Sequence, residues 1–330
     1  MNQKLRVLFA AVLLVCTMIF MSGCAADSGK SGKSTEEDRT AENGAEGNSL
    51  QEGNAGETTY PLEVTDAFGN KVTIEKEPER VVSLSPANTE ILFALGAGER
   101  VKGRTDYCSY PQEVSKVQSV GTYTSPNTEL IISMEPDVIL VSDAIDESIK
   151  QQVEAAGAKV VVFSANSVES TKDCILTIGK ILNLNQKAAE ITGHMESELK
   201  AIQEKVASVQ KKKTVFVDLG SYYSAGPGSL LDDMINQLGA VNMIADASET
   251  WPQISLETIM EKNPDVYLSL YTSPEELKNT EGLKELDCIK NDHIIFYEAL
   301  SADGDIVQRP GPRLIEGIRM LAEKIYPDLF

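Results

Sequence analysis

The sequence predicts an α/β protein of two similar lobes joined by a single long rigid helix. Three observations carry this expectation. One stretch occurs twice, at residues 123–142 and 251–269; strand-like and helix-like segments alternate around both copies; and between them lies an amphipathic pattern of about six helical turns.

The first copy reads YTSPNTELIISMEPDVILVS and the second WPQISLETIMEKNPDVYLS. Aligned on Glu129 and Glu257, each has an aromatic six residues before the glutamate and Pro-Asp-Val seven residues after it. Asn127 and Ser255 stand where an N-cap supplies a side-chain oxygen to the free amides of a helix start. Pro136 and Pro264 end that helix, because proline disfavours α geometry in the residue before it. Asp-Val and an apolar run then read as a buried strand.

A chain of 330 residues can bury two cores, and its formal net charge of -20 argues against nucleic acid as a partner. Lys4 and Arg6 precede an apolar run over residues 7–21 that ends in Met21-Ser22-Gly23-Cys24. This is an export signal, short for a spanning helix. Its ending resembles the bacterial lipoprotein signal, which implies cleavage before Cys24 and a lipid on that residue. Residues 25–59 are almost devoid of apolar side chains and read as a flexible tether. The Gly-Lys-Ser repeats at 29–34 are no phosphate loop, since Asp27 occupies the place of the first glycine and no strand precedes it. The expected organisation is a signal over 1–23, a lipidated cysteine and linker over 24–59, an N-terminal lobe over 60–166, a helical connector over 167–210 and a C-terminal lobe over 211–330.

Taken in order, residues 62–74 alternate around Phe68-Gly69-Asn70 as a hairpin, and 80–84 are a strand entering the capping loop 85–90 and a short helix ended at Gly96. The loop 105–111 carries Tyr107 and Tyr110 beside Pro111. After the first repeat come a helix over 149–156 and a strand over 159–163. Val168, Ile175, Ile178 and Leu182 share one helical face, Asn183-Leu184-Asn185 interrupts it, and the long rod follows to Val209. Residues 214–219 begin the second lobe as a strand, 220–229 read as a flexible loop and 230–238 as a helix. Beyond the second repeat the expectation is a helix over 276–286, a strand over 294–298, turns at 303–305 and 309–313, and a terminal helix over 314–325.

An enzyme needs an acid, base or nucleophile, and His194 and His293 both read as solvated or capping residues. No histidine cluster offers a metal site, so neither catalysis nor a bound metal is expected. Cys16 leaves with the signal, and Cys108, Cys174 and Cys288 read as separate buried thiols. Trp251, the one tryptophan, sits in a loop, and Tyr123 has the equivalent place in the other copy. Facing lobes would set both rings on one cleft suited to a large ligand with an apolar body. Glu129 and Glu257 each suit a helix dipole, and together they offer one carboxylate per lobe to a basic partner.

Arg80-Val-Val-Ser-Leu-Ser-Pro-Ala-Asn-Thr-Glu90, Tyr107 with Tyr110-Pro111, the first repeat, and Trp251-Pro252-Gln253-Ile254-Ser255 resemble the periplasmic binding proteins of cobalamin, iron-siderophore and haem ABC importers, above all their vitamin B12-binding branch. The resemblance implies two Rossmann-like lobes on a helical backbone, a substrate-binding protein held by its lipid on the extracytoplasmic face of the membrane. It also implies a permease and its ATPase as partners, and a corrinoid or other large metal chelate as ligand. Position by position, Tyr107, Tyr123 and Trp251 look like aromatics that pack on the corrinoid, with Tyr123 standing where tryptophan is found in that branch. Tyr223 and Asp303 fall near further cleft positions. Glu129 and Glu257 look like the permease-docking glutamates.

Overall fold

Val81–Ser83, Val138–Ser142 and Lys159–Phe163 are short runs, rich in valine, with few exposed atoms, as expected of parallel strands covered on both faces. A computed structural model of the chain, describing residues 56–330, places them in the first of two parallel sheets. The signal segment, Cys24 and most of the tether lie outside the described residues.

The hairpin β1 (Leu62–Thr65) and β2 (Lys71–Ile74) precedes the N-terminal sheet of β3 (Val81–Ser83), β4 (Val101–Arg104), β5 (Gln118–Ser119), β6 (Val138–Ser142) and β7 (Lys159–Phe163), arranged β5-β4-β3-β6-β7. The second sheet contains β8 (Thr214–Asp218), β9 (Val241–Asn242), β10 (Val266–Ser269) and β11 (Ile294–Phe296), arranged β11-β10-β8-β9. Strand order reverses once in each sheet, between β3 and β6 and between β8 and β10.

The helices of the first lobe are α1 (Pro86–Ala94), α2 (Thr128–Ser133) and α3 (Glu147–Ala155). Next come α4 (Val168–Ile181) and α5 (Asn185–Val206). The second lobe adds α6 (Leu230–Gln237), α7 (Leu256–Lys262), α8 (Pro274–Asn279), α9 (Asp287–Lys290), α10 (Ala302–Gln308) and α11 (Leu314–Ile325).

Five expectations are revised. The chain passes between sheets through two helices, not one: Asn183 takes a left-handed φ of 57°, and α5, of 22 residues, packs on α4 and α11. A methyl at Gly179 would lie 2.5 Å from the Ala188 Cβ, so the close approach of α4 and α5 needs a glycine there. The helix expected over 276–286 is α8, a 3-10 turn Leu283–Glu285 and α9, broken at Gly282 with φ 86°. Asp303 and Asp305 lie in α10 rather than in a turn, under a cap in which the Gly304 amide donates to the Ser301 hydroxyl at 3.0 Å. The loop 220–229 is built into the second repeat, with the Ser224 amide donating to Pro252 O at 2.9 Å and the Gly226 amide to Thr250 O at 2.8 Å. The end of the tether is also fastened: the Thr58 amide donates to Asn183 Oδ1 at 2.7 Å, and Asn185 Nδ2 to Gly56 O at 2.8 Å.

One apolar cluster runs from Val81 and Leu92 through Ile178 and Ile202 to Val217 and Ile318, joining both sheets through α4, α5 and α11. Smaller clusters fill the outer layers beneath α2 and α3, and beneath α7 to α9. Cys108, Cys174 and Cys288 are free and buried, as expected.

Candidate functional site

Ligands of open α/β sheets bind outside the strand carboxyl ends, where strand order reverses. Here the two sheets turn those ends toward each other. On one side Asn166 Nδ2, after β7, donates to Gly228 O, after β8, at 3.0 Å. On the other, Ser109 Oγ, after β4, donates to Asp305 Oδ2, after β11, at 3.0 Å.

Polar groups mark both reversal points. Ser142 Oγ donates to Ser85 Oγ at 2.7 Å between β6 and β3. In the second sheet Ser269 Oγ donates to Asp218 Oδ2 at 3.2 Å, and the Gly220 amide to Asp218 Oδ1 at 2.9 Å.

The expected aromatics lie in loops of both lobes. Tyr107 follows β4, Tyr123 follows β5 and Trp251 leads into α7, and their exposures are 53%, 40% and 51%. About half of each side chain is open to contact. Burial of the rest of Tyr123 raises its phenol pKa, and Asp143 adds to the rise against the Ala144 amide. Tyr223 is half-buried in the loop after β8, bridged to Gln253 next to Pro252. Asp303 is exposed on α10 and makes no side-chain bond with the described residues, whereas Asp305 accepts from Ser109 and pairs with Arg309 at 2.7 Å.

Tyr110, Tyr271 and Leu300, also exposed beyond strand carboxyl ends, were not singled out as ligand contacts by sequence. Tyr271 could have been, since it follows the strand of the second repeat; burial of the covered half of its side chain raises its pKa. Sequence also missed a joint between the lobes. Glu90 of α1 accepts from Arg313 Nε at 2.9 Å, Arg313 Nη2 at 2.8 Å and Arg309 Nη1 at 3.0 Å.

Glu129 and Glu257 are exposed in the first turns of α2 and α7. Asn127 Oδ1 accepts the Leu130 amide at 3.0 Å and Ser255 Oγ the Thr258 amide at 3.1 Å, as the repeat predicts. Each helix terminates at a left-handed residue before proline, Glu135 with φ 47° and Asn263 with φ 39°. The next aspartate in each copy holds the start of a central strand. Asp137 Oδ2 accepts the Glu79 and Arg80 amides at 2.9 and 3.0 Å, and Asp265 Oδ2 the Thr214 amide at 2.9 Å. Burial works to raise the Asp137 pKa, but these amides and Lys76 outweigh it and hold it low.

His194 and His293 are exposed. Among the described residues no group of three or more His, Cys, Asp or Glu side chains is placed to hold a metal ion, and no helix is long and apolar enough to cross a membrane.

The family model described as periplasmic binding protein matches residues 81–299. The ABC transporter substrate-binding lipoprotein YvrC of Bacillus subtilis is 36% identical over 281 residues, covering 82% of this chain and 87% of that one. The vitamin B12-binding protein of Salmonella choleraesuis is 28% identical and covers 74% of this chain and 90% of its own. A solved structure of a possible iron-binding periplasmic solute-binding protein from Staphylococcus epidermidis aligns with a TM-score of 0.65 at 31% identity, over 76% of this chain and all of that one. With two facing parallel sheets and relatives that are transport proteins rather than enzymes, the chain belongs to the periplasmic binding protein family, the substrate-binding proteins of ABC importers.

Proposed function

We propose that this protein is the lipid-anchored, extracytoplasmic substrate-binding subunit of an ABC importer, and that it captures cobalamin or another corrinoid between its lobes. The observation that carries this reading is the set of half-exposed rings at Tyr107, Tyr123 and Trp251 around the facing strand ends. Flat apolar rings suit a large macrocycle with a hydrophobic face better than a small hydrophilic solute. Arg309 and Arg313 are engaged by Glu90 and Asp305, which disfavours a polyanionic ligand, while Arg104, three residues before Tyr107, donates to Thr105 O and pairs with no carboxylate among the described residues. The B12-binding relative supports the same class. Glu129 and Glu257 dock the loaded protein on the permease, and the ATPase then drives release. The lipid on Cys24 would hold the protein at the membrane, in line with the lipoprotein relative.

Ferric siderophore or haem is the second reading. The exposed phenols of Tyr107 and Tyr123 are oxygen donors of a kind that binds ferric iron, and the staphylococcal iron-binding structure lies in the same direction. Calorimetric titration with cyanocobalamin, haemin and a panel of ferric siderophores separates the two. Saturable heat is expected with cyanocobalamin; heat only with haemin or a siderophore selects the second reading.

A further inference from the structure

The joint between the lobes holds two acids and two bases. Glu90 projects from α1 of the first lobe and is about 3% exposed; Arg309 and Arg313 come from the end of the second. Its carboxylate receives three guanidinium hydrogen bonds, two of them a fork from Arg313. Arg309 continues outward, donating to Ser109 Oγ at 3.0 Å and to Tyr107 O at 3.1 Å while pairing with Asp305. The Arg313 guanidinium carbon lies 3.9 Å from the centre of the Tyr110 ring. Burial opposes charge on Arg313, yet Glu90 and its neighbours more than offset this and raise its pKa.

We infer that Glu90, Arg309 and Arg313 form an interlobe clasp whose task is to set the loop 105–111, with Tyr107, at a fixed distance from the second lobe before ligand arrives. Every polar contact in the cluster either crosses between lobes or braces a residue that does. The loop it grips belongs to the first lobe, while the guanidiniums that grip it belong to the second. Formal charges cancel within the cluster, so the clasp does not itself attract a charged ligand. These are positioning residues: they act on the ligand through the Tyr107 loop. The inference rests on the proposed ligand cleft only for its second readout.

The test uses the full chain in detergent, with Glu90→Ala and Arg313→Lys. Glu90→Ala removes the shared acceptor; Arg313→Lys keeps the charge and loses the fork. Without ligand, hydrogen exchange is followed at residues 105–111 and 302–313, with β6 and β10 as internal controls. The expected result is exchange at least about tenfold faster in both segments for Glu90→Ala, an intermediate rise for Arg313→Lys, and unchanged control strands, the pattern of a local opening. Cyanocobalamin affinity should fall in the same order. Exchange equal to the wild type in both variants overturns the clasp, and so does an equal rise in the control strands of Arg313→Lys, which would mean general destabilisation. If the wild type ignores cyanocobalamin, the corrinoid reading fails while the exchange result still decides the clasp.

Discussion

Cys174 is a thiol on α4 enclosed by the main core cluster, and the physics of that position is measurable. Burial pushes its pKa from 9.0 to about 12, with Asp173 and Asp143 adding to the rise, and Cys288 goes from 9.0 to about 11 by burial. An acid whose folded pKa exceeds its unfolded one stabilises the fold fully below the unfolded value and ceases to as pH climbs through the folded value. The stability supplied by Cys174 is therefore present up to about pH 9 and is lost towards about pH 12. Urea midpoints followed from pH 8 to 11 are expected to fall more steeply for the wild type than for Cys174→Ala; parallel curves would exclude this account. At the same scale, the exposure of Tyr107, Tyr123 and Trp251 was legible because large aromatics off any helical or strand period stand out. Glu90 and Arg313 were not, since 223 positions separate them and no local pattern marks an acid in a helix as buried.

The duplicated element combines an N-cap, an exposed glutamate, a left-handed stop, a proline and an aspartate that fastens a neighbouring strand. The N-cap, the glutamate and the proline could be read directly, because capping and proline geometry are local; the left-handed stop and the bonds of the aspartate could not. The break between α8 and α9 could not, since it depends on Gly282 facing Leu256 and Met260 of another helix. The placement of Asp305 in α10 escaped notice for a similar reason. That helix is short and draws its stability from packing, and a methyl on Gly304 would meet Glu298 O at 2.0 Å. At this scale belongs the docking prediction: Glu129→Ala with Glu257→Ala removes two exposed carboxylates without touching a core or a cap. Transport in cells or proteoliposomes should be abolished, ligand affinity unchanged, and the melting temperature within a degree or two. Normal transport by the double variant would rule out that role.

Across the whole molecule, the lobes share one apolar cluster through α4, α5 and α11, so separating them exposes buried side chains. Large hinge rotation is accordingly disfavoured, and solution scattering with and without bound ligand should yield nearly superimposable curves; a marked contraction would contradict this. Two lobes and their parallel sheets were visible in the repeat and in the alternation of elements. The two-residue strands β5 and β9 were not, being too short for any periodicity, and the paired connector depends on the contact of Gly179 with Ala188. One last consequence concerns load. Arg80 Nε donates to Met134 O at 2.7 Å and to Glu135 O at 3.1 Å at the end of α2, while Asp137 grips the Arg80 amide at the head of β3. A tug on the helix that bears Glu129 would thus be borne by the strand that runs on to Ser83 and Ser85.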